Sequence, residues 1–420
     1  MRILYTIGLY LSVPFVLIKL WWRGRINPEY RNRIAERFGI LSPLTKKPRI
    51  WLHAVSVGET IAATPLIKKL LTDYPDYSLL VTTTTPTGSA QLMRLFGGDV
   101  EHVYFPYDLP YVIKRFLSRV RPEILIIMET ELWPNLCKIC SHEKIPVLIS
   151  NARLSPKSFT GYRKILPLIR TVFADISMIS PQSEADAERF LRLGAVKSQI
   201  HICGNLKFDL QIPVEVTETG ELLKSMIGNR PVWIAASTHD GEDEQILDTH
   251  RKVIEQFPGT LLILVPRHPE RFNVVARLCE ERNFTIARRS KNLLPDNSHQ
   301  IYLGDTMGEL LQLYSSADIA FVGGSLVPSG GHNPLEPAAL GLPVLSGNYV
   351  FNFLAIIETM QEENAIKIVH DSDELAETLI DLFQQPDKRS LLGIAGSQLI
   401  EKNRGATACI LNEIEMLIKQ

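Results

Sequence analysis

The sequence predicts an α/β protein with two doubly wound domains that face a cleft, preceded by a membrane-anchoring helix. Three observations support this prediction. Apolar strand segments alternate with helical segments twice along the chain, a polar and acidic stretch at 209–229 separates the two series, and residues 3–18 carry no charge. Such alternation is typical of parallel sheets covered by helices on both faces.

The bulk composition is that of an ordinary globular protein. The chain has 420 residues, of which 45% are apolar and 22% charged, and its net charge is −1. No global basic field favours nucleic acid, so no nucleic-acid partner is predicted. Five cysteines, sparse and odd in number, predict a reducing compartment and no disulfide framework. Cys137 and Cys140 form one C-x-x-C without a second pair, which we interpret as structural.

The N-terminal segment predicts a membrane anchor. Its apolar run of about 16 residues is near the short limit for a span, and Trp21 and Trp22 suit the headgroup level. Basic residues surround and follow the tryptophans, at Lys19, Arg23, Arg25, Arg31, Arg33 and Arg37. Their position, and the lack of an A-x-A site, argue against a cleaved signal peptide. The positive-inside rule places the rest of the chain in the cytoplasm. A spanning helix and an in-plane helix both fit, and a buried core helix is the alternative.

Strand and helix patterns define the predicted domains: an anchor at 1–25, a first Rossmann-like domain at 26–208, a linker at 209–229 and a second at 230–420. The first series of predicted strands is 49–56, 78–84, 100–107, 122–129, 146–153, 177–181 and 199–204. The second is 231–237, 260–266, 284–288, 300–304, 318–323, 342–346 and 365–369. A long last helix is expected at 391–418, and its return to the first domain is left open. Ligands of such sheets bind at the carboxyl ends of the strands.

The stretch from Asp318 to Glu336 is the most informative part of the chain. An apolar strand runs into Gly323-Gly324-Ser325 and Gly330-Gly331, followed by a helix start with Asn333 as N-cap, Pro334 at N1 and Glu336 at N3. Backbone N–H groups that point outward from such a turn bind anions. The sequence therefore predicts a phosphate site here, with Glu336 placed to accept hydrogen bonds from a ribose. A capping box alone is the alternative.

Acidic residues follow two strands of the first domain. Glu59 comes after the strand that ends at Ser56 and opens a helix, where it is either a general base or only a partner of the helix dipole. Glu129 and Glu131 follow the fourth strand. They act on charge in a site, or they only bind Arg153.

Basic residues at strand ends add a group of cations. Lys207 ends the first domain, and Arg267 and His268 follow a strand of the second. We expect them to hold a leaving phosphate. The turn at 305–309, with Met307, Gly308 and Glu309, offers backbone amides for a nucleobase or phosphate, or only a cap at Thr306.

Absent motifs narrow the chemistry. No G-x-x-x-x-G-K-[ST] and no G-x-G-x-x-G occurs, so neither a P-loop nor a nicotinamide cofactor is expected. The one D-x-D, at Asp371 and Asp373, opens a helix and is interpreted as a cap. No metal and no cofactor are therefore expected, because protein cations suffice for a single leaving phosphate.

Taken together, these motifs resemble the Kdo (3-deoxy-D-manno-octulosonic acid) transferases of lipopolysaccharide synthesis, which are inverting glycosyltransferases of the GT-B fold. The resemblance runs nearly end to end. It includes LWWRGR at 20–25, SVGET at 56–60, TPTGS at 85–89, FPYD at 105–108, ETELWPN at 129–135, NARL at 151–154, VPRHPERF at 265–272, GDTMGE at 304–309 and GHNPLE at 331–336.

The resemblance implies a donor, an acceptor and residue roles. The donor would be CMP-Kdo, and the acceptor the tetraacylated lipid A precursor in the bacterial inner membrane, reached from its cytoplasmic side. Glu59 would be the base, and Glu129 and Lys207 would stabilise the transition state. The CMP site would comprise Arg267, His268, Met307, Gly308, Glu309, Asn333, Pro334, Leu335 and Glu336.

Two rival functions remain at this point. A nucleotide-sugar epimerase of the same fold would need no membrane anchor. A membrane-tethered, non-catalytic binding protein would not need Glu59, Glu129 and Lys207 together. The number of Kdo residues added, the acyl-chain preference and the oligomeric state are not encoded in these motifs.

Overall fold

The computed structural model describes residues 1–45 and 47–419, and the chain divides into two α/β units with parallel sheets. Unit 1 comprises Met1–Asp209 and Asn403–Gln420, and unit 2 comprises Leu210–Lys402. The predicted fold class is confirmed in each unit.

The sheet of unit 1 has six parallel strands in the order β3-β2-β1-β4-β5-β6. Their direction of addition reverses between β1 and β4, which is the topological switch point where open α/β sheets bind ligands. Continuous apolar runs form these strands because helices cover both faces. The strands are β1 Arg49–His53, β2 Ser78–Thr83, β3 Glu101–Tyr104, β4 Pro122–Met128, β5 Val147–Ala152 and β6 Met178–Pro181.

The prediction of a strand at 199–204 is wrong. Lys197–Gln199 forms a single 3₁₀ turn, and Ile200 makes only an isolated bridge to Ile179. Gly204 then turns the chain away with a φ of 87°, far from the extended φ of a regular strand.

The helices of unit 1 begin where the sequence places proline or a capping side chain. Four of them, α5 to α8 below, start at a proline, whose missing N–H costs nothing in the first turn. The helices are α1 Arg2–Ile26, α2 Ile34–Arg37, α3 Val57–Ala62, α4 Thr64–Asp73, α5 Pro86–Phe96, α6 Pro110–Val120, α7 Pro134–His142, α8 Pro156–Arg163, α9 Leu166–Phe173 and α10 Glu184–Leu193.

The sheet of unit 2 has seven parallel strands in the order β13-β12-β11-β7-β8-β10-β9. Its switch point lies between β7 and β11, because β8 to β10 lie on one side of that pair and β12 and β13 on the other. The strands are β7 Val232–Thr238, β8 Leu261–Pro266, β9 Ile286–Arg288, β10 Ile301–Leu303, β11 Ile319–Val322, β12 Val344–Ser346 and β13 Lys367–Ile368.

The segment 209–229, predicted as a linker, holds a helix of unit 2, α11 Val214–Ile227. A Cβ on Gly220 would lie 2.1 Å from the Ser315 Cβ, so only glycine lets this helix pack so closely on its neighbour. The other helices of unit 2 are α12 Asp243–Gln256, α13 Phe272–Glu281, α14 Leu310–Ser315, α15 Leu335–Ala339, α16 Leu354–Glu362, α17 Ser372–Gln384 and α18 Pro386–Asn403.

The single last helix predicted at 391–418 is two helices. Gly405, with a φ of 109°, separates α18 from α19 Ala406–Ile418. The second of these packs in the core of unit 1 through Ile410, Ile414 and Leu417. Asp209 accepts the N–H of Gly405 at 2.7 Å and that of Thr407, which fixes the start of α19.

One disulfide, which the cysteine count did not predict, joins Cys203 to Cys409 on α19. Cys137 and Cys140 are both buried in α7 and unpaired, in line with a structural role.

Candidate functional site

Glu59 lies at the switch point of unit 1, in the first turn of α3. Its carboxylate accepts the Val55 N–H at 2.7 Å and the Ser56 hydroxyl at 3.0 Å, and Ser56 in turn caps the helix. The alternative role of Glu59, a partner of the helix start, is therefore also present in the structure. Burial, together with the nearby Glu129 and Glu131 carboxylates, raises the pKa of Glu59 to about 7, although the bonds from Val55 and Ser56 oppose this. A carboxylate with such a pKa is suited to general base chemistry near neutral pH.

Glu129 follows β4, the strand that pairs with β1 across the switch point. Its φ of 57° is in the left-handed region, which non-glycine residues rarely adopt, and its N–H donates to the Ser150 carbonyl at 2.9 Å. The charge of Glu129 raises the pKa of Glu59, so the two carboxylates belong to one group. Backbone strain of this kind is concentrated at functional sites.

Lys207 lies in the same group as these two glutamates. Burial lowers the pKa of its ammonium, Arg153 lowers it further, and the charges of Glu129 and Glu59 raise it. Asn205 positions the residue by accepting the Lys207 N–H at 3.0 Å. The structure thus brings together the three residues expected to be catalytic, although they are far apart in the chain.

The alternative role for the carboxylates at 129 and 131, binding Arg153, has little support. Within the described part of the chain Arg153 forms no ion pair with either; its carbonyl accepts a hydrogen bond from Thr130. Burial and Glu129 instead raise the pKa of Glu131, and the charge of Glu131 in turn raises the pKa of Glu59.

The glycine-rich turn after β11 differs from the predicted anion site. The N–H groups of Gly324, Ser325 and Leu326 donate to the carboxylate of Glu242, at 2.6, 3.0 and 2.9 Å. Glu242 is fully buried and also accepts the His239 N–H at 3.1 Å. The expectation that these amides point outward is wrong, because a buried carboxylate already satisfies them.

The helix start predicted at Asn333 is one residue later in the structure, with Pro334 as N-cap and Leu335 as the first residue of the short α15. Asn333 still caps it: its Oδ1 accepts the Leu335 N–H at 3.2 Å, and its Nδ2 donates to Glu336 Oε1 at 3.2 Å. Burial raises the pKa of Glu336, which the bond from Asn333 and the charge of Arg267 oppose.

Arg267 and His268 are exposed after β8, and the Arg267 N–H donates to the Thr238 carbonyl at 3.0 Å. The structure adds two residues that the sequence analysis missed. His239 follows β7 and His332 precedes Asn333, and their Nε2 atoms lie 2.8 Å apart. The one sequence signal for a role of these histidines is their position, next to a predicted strand end for His239 and next to a predicted helix start for His332.

The turn with Met307, Gly308 and Glu309 follows β10, beyond β8 in the sheet. Met307 and Gly308 are exposed. The Glu309 carboxylate accepts two hydrogen bonds from Arg289, at 2.7 and 3.2 Å, and one from Thr306. Glu309 therefore stabilises the turn that presents its two exposed neighbours.

Family profiles match both units. The profile described as 3-Deoxy-D-manno-octulosonic-acid transferase (kdotransferase) matches residues 32–210, and that of Glycosyl transferases group 1 matches residues 229–398. The chain is 43% identical over 423 residues to the 3-deoxy-D-manno-octulosonic acid transferase of Haemophilus influenzae, a match that covers 100% of this chain and 99% of that relative.

Solved structures show the same two-domain fold. The UDP-GlcNAc 2-epimerase from Neisseria meningitidis bound to UDP-GlcNAc has a TM-score of 0.58 at 15% identity, covering 89% of this chain and 100% of that one. A glycosyltransferase from Rickettsia africae has a TM-score of 0.55 at 14% identity, covering 89% and 99%. These likenesses confirm the GT-B fold class and nothing about the reaction.

Proposed function

Because this chain belongs to the 3-deoxy-D-manno-octulosonic acid (Kdo) transferase family and is a glycosyltransferase, we propose that it transfers Kdo from CMP-Kdo onto the tetraacylated lipid A precursor. The product would enter lipopolysaccharide synthesis. The epimerase rival shares only the fold with this chain, so the family membership decides against it.

The observation that carries the proposal is the group formed by Glu59, Glu129 and Lys207. An acceptor hydroxyl needs a base that is ionised near neutral pH yet still able to hold a proton, and the pKa of Glu59, raised by burial to about 7, meets that need. Glu59 takes the proton, the acceptor oxygen attacks the anomeric carbon of Kdo, and CMP leaves with the electrons of the broken bond. This direct displacement inverts the anomeric carbon.

Lys207 and Glu129 act on the charges that develop during this step. A half-buried ammonium beside two carboxylates is held in place before the reaction begins, which is how protein charges stabilise a transition state most effectively. The charges of Glu129 and Glu59 hold Lys207 in its protonated form against the effect of burial.

The donor side is proposed in unit 2. Arg267 and His268 are exposed basic residues after β8, and Met307 and Gly308 present an exposed turn after β10. With Glu309 and the residues from Asn333 to Glu336, they would hold CMP. These basic residues would make a metal unnecessary for a leaving group with one phosphate, so excess EDTA should leave the transfer rate unchanged.

A membrane location on the cytoplasmic side of the inner membrane is proposed from α1. Within the helix segment Arg2–Arg25, an 18-residue window has a mean hydropathy of 1.9, and 6% of that window is buried. The segment is long and apolar enough for a membrane helix. The helix also contacts unit 1, where the Tyr5 hydroxyl donates to Asp108 at 2.9 Å and that of Thr6 to Asn135 at 3.0 Å. Its opposite face exposes Leu4, Leu11 and Phe15, which favours a helix held along the domain with that face in lipid.

The test separates chemistry from donor binding. Glu59→Gln keeps the size of the side chain and an oxygen to accept the Val55 N–H, but it cannot accept a proton. We expect this variant to bind CMP like the wild type in calorimetry and to form no Kdo-bearing lipid by mass spectrometry. Wild-type turnover in Glu59→Gln would contradict the proposed role of Glu59.

A further inference from the structure

His239 and His332 form an imidazole pair at the switch point of the second sheet. His239 directly follows β7, and His332 belongs to the loop after the neighbouring strand β11. Ligands of open α/β sheets bind outside the carboxyl ends of the strands at this point. The pair therefore lies where a ligand is expected, on residues that the predicted CMP site does not include.

The geometry of the pair is that of two hydrogen-bond donors and acceptors held face to face. The Nε2 atoms are 2.8 Å apart, and the rings are stacked with their planes 15° apart. Gly324 lies against both: a Cβ there would be 3.1 Å from the His332 Cδ2 and 3.2 Å from the His239 Cδ2. Glycine is needed at 324 also because its φ is 67°.

Glu242 fixes this arrangement before any ligand arrives. Its buried carboxylate accepts the N–H groups of both His239 and Gly324, and so ties the loop after β7 to the loop after β11. A binding site whose loops are locked by buried hydrogen bonds loses little entropy when its ligand binds.

The charge around the pair favours an anion. Burial, with smaller effects from His239, Arg267 and His268, lowers the pKa of His332 to about 4. Burial likewise lowers the pKa of His239, as do the charges of His268, Arg271 and Arg267. Positive groups thus face the pair from several loops. Of these groups, Arg271 already forms ion pairs with the carboxylates of Asp243 and Asp240. A bound anion would offset this repulsion and stabilise a protonated pair.

An ulosonic acid donor has a second anion besides its phosphate. Its carboxylate is bonded to the anomeric carbon, the same carbon that bears the phosphate oxygen, so two anions one carbon apart need two sets of donors. We propose, on the basis of the proposed function, that His239 and His332 bind the carboxylate of the sugar, while Arg267 and His268 serve the CMP phosphate. The pair would then select an acidic sugar over a neutral one.

The test compares two donors, CMP-Kdo and its C1 carboxamide analogue, whose sugar carries no charge. Calorimetry gives the affinity of each donor and of CMP for the wild type, His239→Gln, His332→Gln and the control His370→Gln, which changes an exposed histidine of unit 2. Steady-state assays give KM and kcat separately. We expect the wild type and the control to prefer the carboxylate donor by about tenfold or more, the size of a charge-assisted hydrogen bond.

In His239→Gln and His332→Gln that preference should fall toward unity through a higher KM for CMP-Kdo, with CMP affinity within about twofold of wild type. An unchanged preference would overturn the inference, and so would a loss of CMP affinity in step with donor affinity, which would assign the pair to the phosphate. A wild type that binds both donors but transfers neither sugar would contradict the proposed function instead, and the calorimetric preference would still report on the pair.

Discussion

Ionisation of Glu59 should govern how the transfer rate depends on pH. Its pKa is raised from 4.5 to about 7, with burial as the largest cause, so ionising it costs about 3 kcal/mol more than in water. At pH 6 about one molecule in ten would hold the base in its active form. We therefore expect kcat/KM to rise about tenfold per pH unit below 7 and to level off above it.

A neighbouring charge provides the perturbation. Glu131 raises the pKa of Glu59, so Glu131→Gln should move the acid limb of the rate profile to lower pH, by less than the effect of burial. Glu123→Gln is the matched control, because Glu123 is exposed at the other end of β4 and its carboxylate accepts a bond from Tyr77. The assay is initial-rate product formation between pH 5.5 and 9. A wild-type acid limb near pH 4.5, or an acid limb that moves equally in both variants, would show that Glu59 does not control the rate in this way.

The raised pKa of Glu59 also predicts how the stability of the folded protein depends on pH. Between pH 4.5 and 7 the folded chain keeps a proton on Glu59 that the unfolded chain releases, so stability falls as pH rises through this window. Glu59→Gln removes this dependence. Its Tm relative to wild type should therefore be higher at pH 8 than at pH 5, and a difference that is constant with pH would contradict the assignment.

Four further predictions concern other parts of the chain. Lys207→Ala should lower kcat by roughly two to three orders of magnitude while CMP affinity stays unchanged, with partial recovery in Lys207→Arg; equal losses of kcat and CMP affinity would contradict this. Glu242→Gln should lower the stability of unit 2 by about 1–3 kcal/mol, since an amide cannot accept four buried N–H groups; an unchanged denaturation midpoint would argue against it. Cys409→Ser should lower the Tm of the oxidised protein and leave that of the reduced protein unchanged, and thiol counting before and after reduction checks the pairing. Leu11→Asp with Phe15→Asp should release the protein from membranes in flotation assays, whereas Ser12→Ala on the same helix should not.

The presence of most strands and helices could be predicted, because the spacing of apolar residues and the length of each apolar run indicate the type of element. The buried strands are continuous apolar runs, and prolines mark several helix starts, so most elements follow from local sequence. Two of the errors in secondary structure lie at a single glycine. Gly405 breaks the last helix, and Gly204 ends the segment that resembled a strand. Because glycine adopts positive and negative φ about equally, the sequence does not reveal the φ of either residue.

The grouping of charged side chains in unit 1 was predictable from the sequence, whereas the hydrogen bonding of the backbone amides after β11 was not. Glu59, Glu129 and Lys207 were expected because charged residues at strand ends are informative, and β1 pairs with β4 as the topology requires. The amides after β11 were assigned to a phosphate, yet a glutamate more than 80 residues earlier, Glu242, takes them. A contact over that sequence separation leaves no local pattern, and the same is true of the bond between His239 and His332.

Kdo transfer is tested most simply by the mass of the lipid product after incubation with CMP-Kdo and the tetraacylated lipid A precursor. We expect a gain of whole Kdo units in the wild type, release of an equal amount of CMP, and no gain with Glu59→Gln. Unchanged lipid mass from a wild-type preparation that still binds CMP would contradict Kdo transfer to this acceptor.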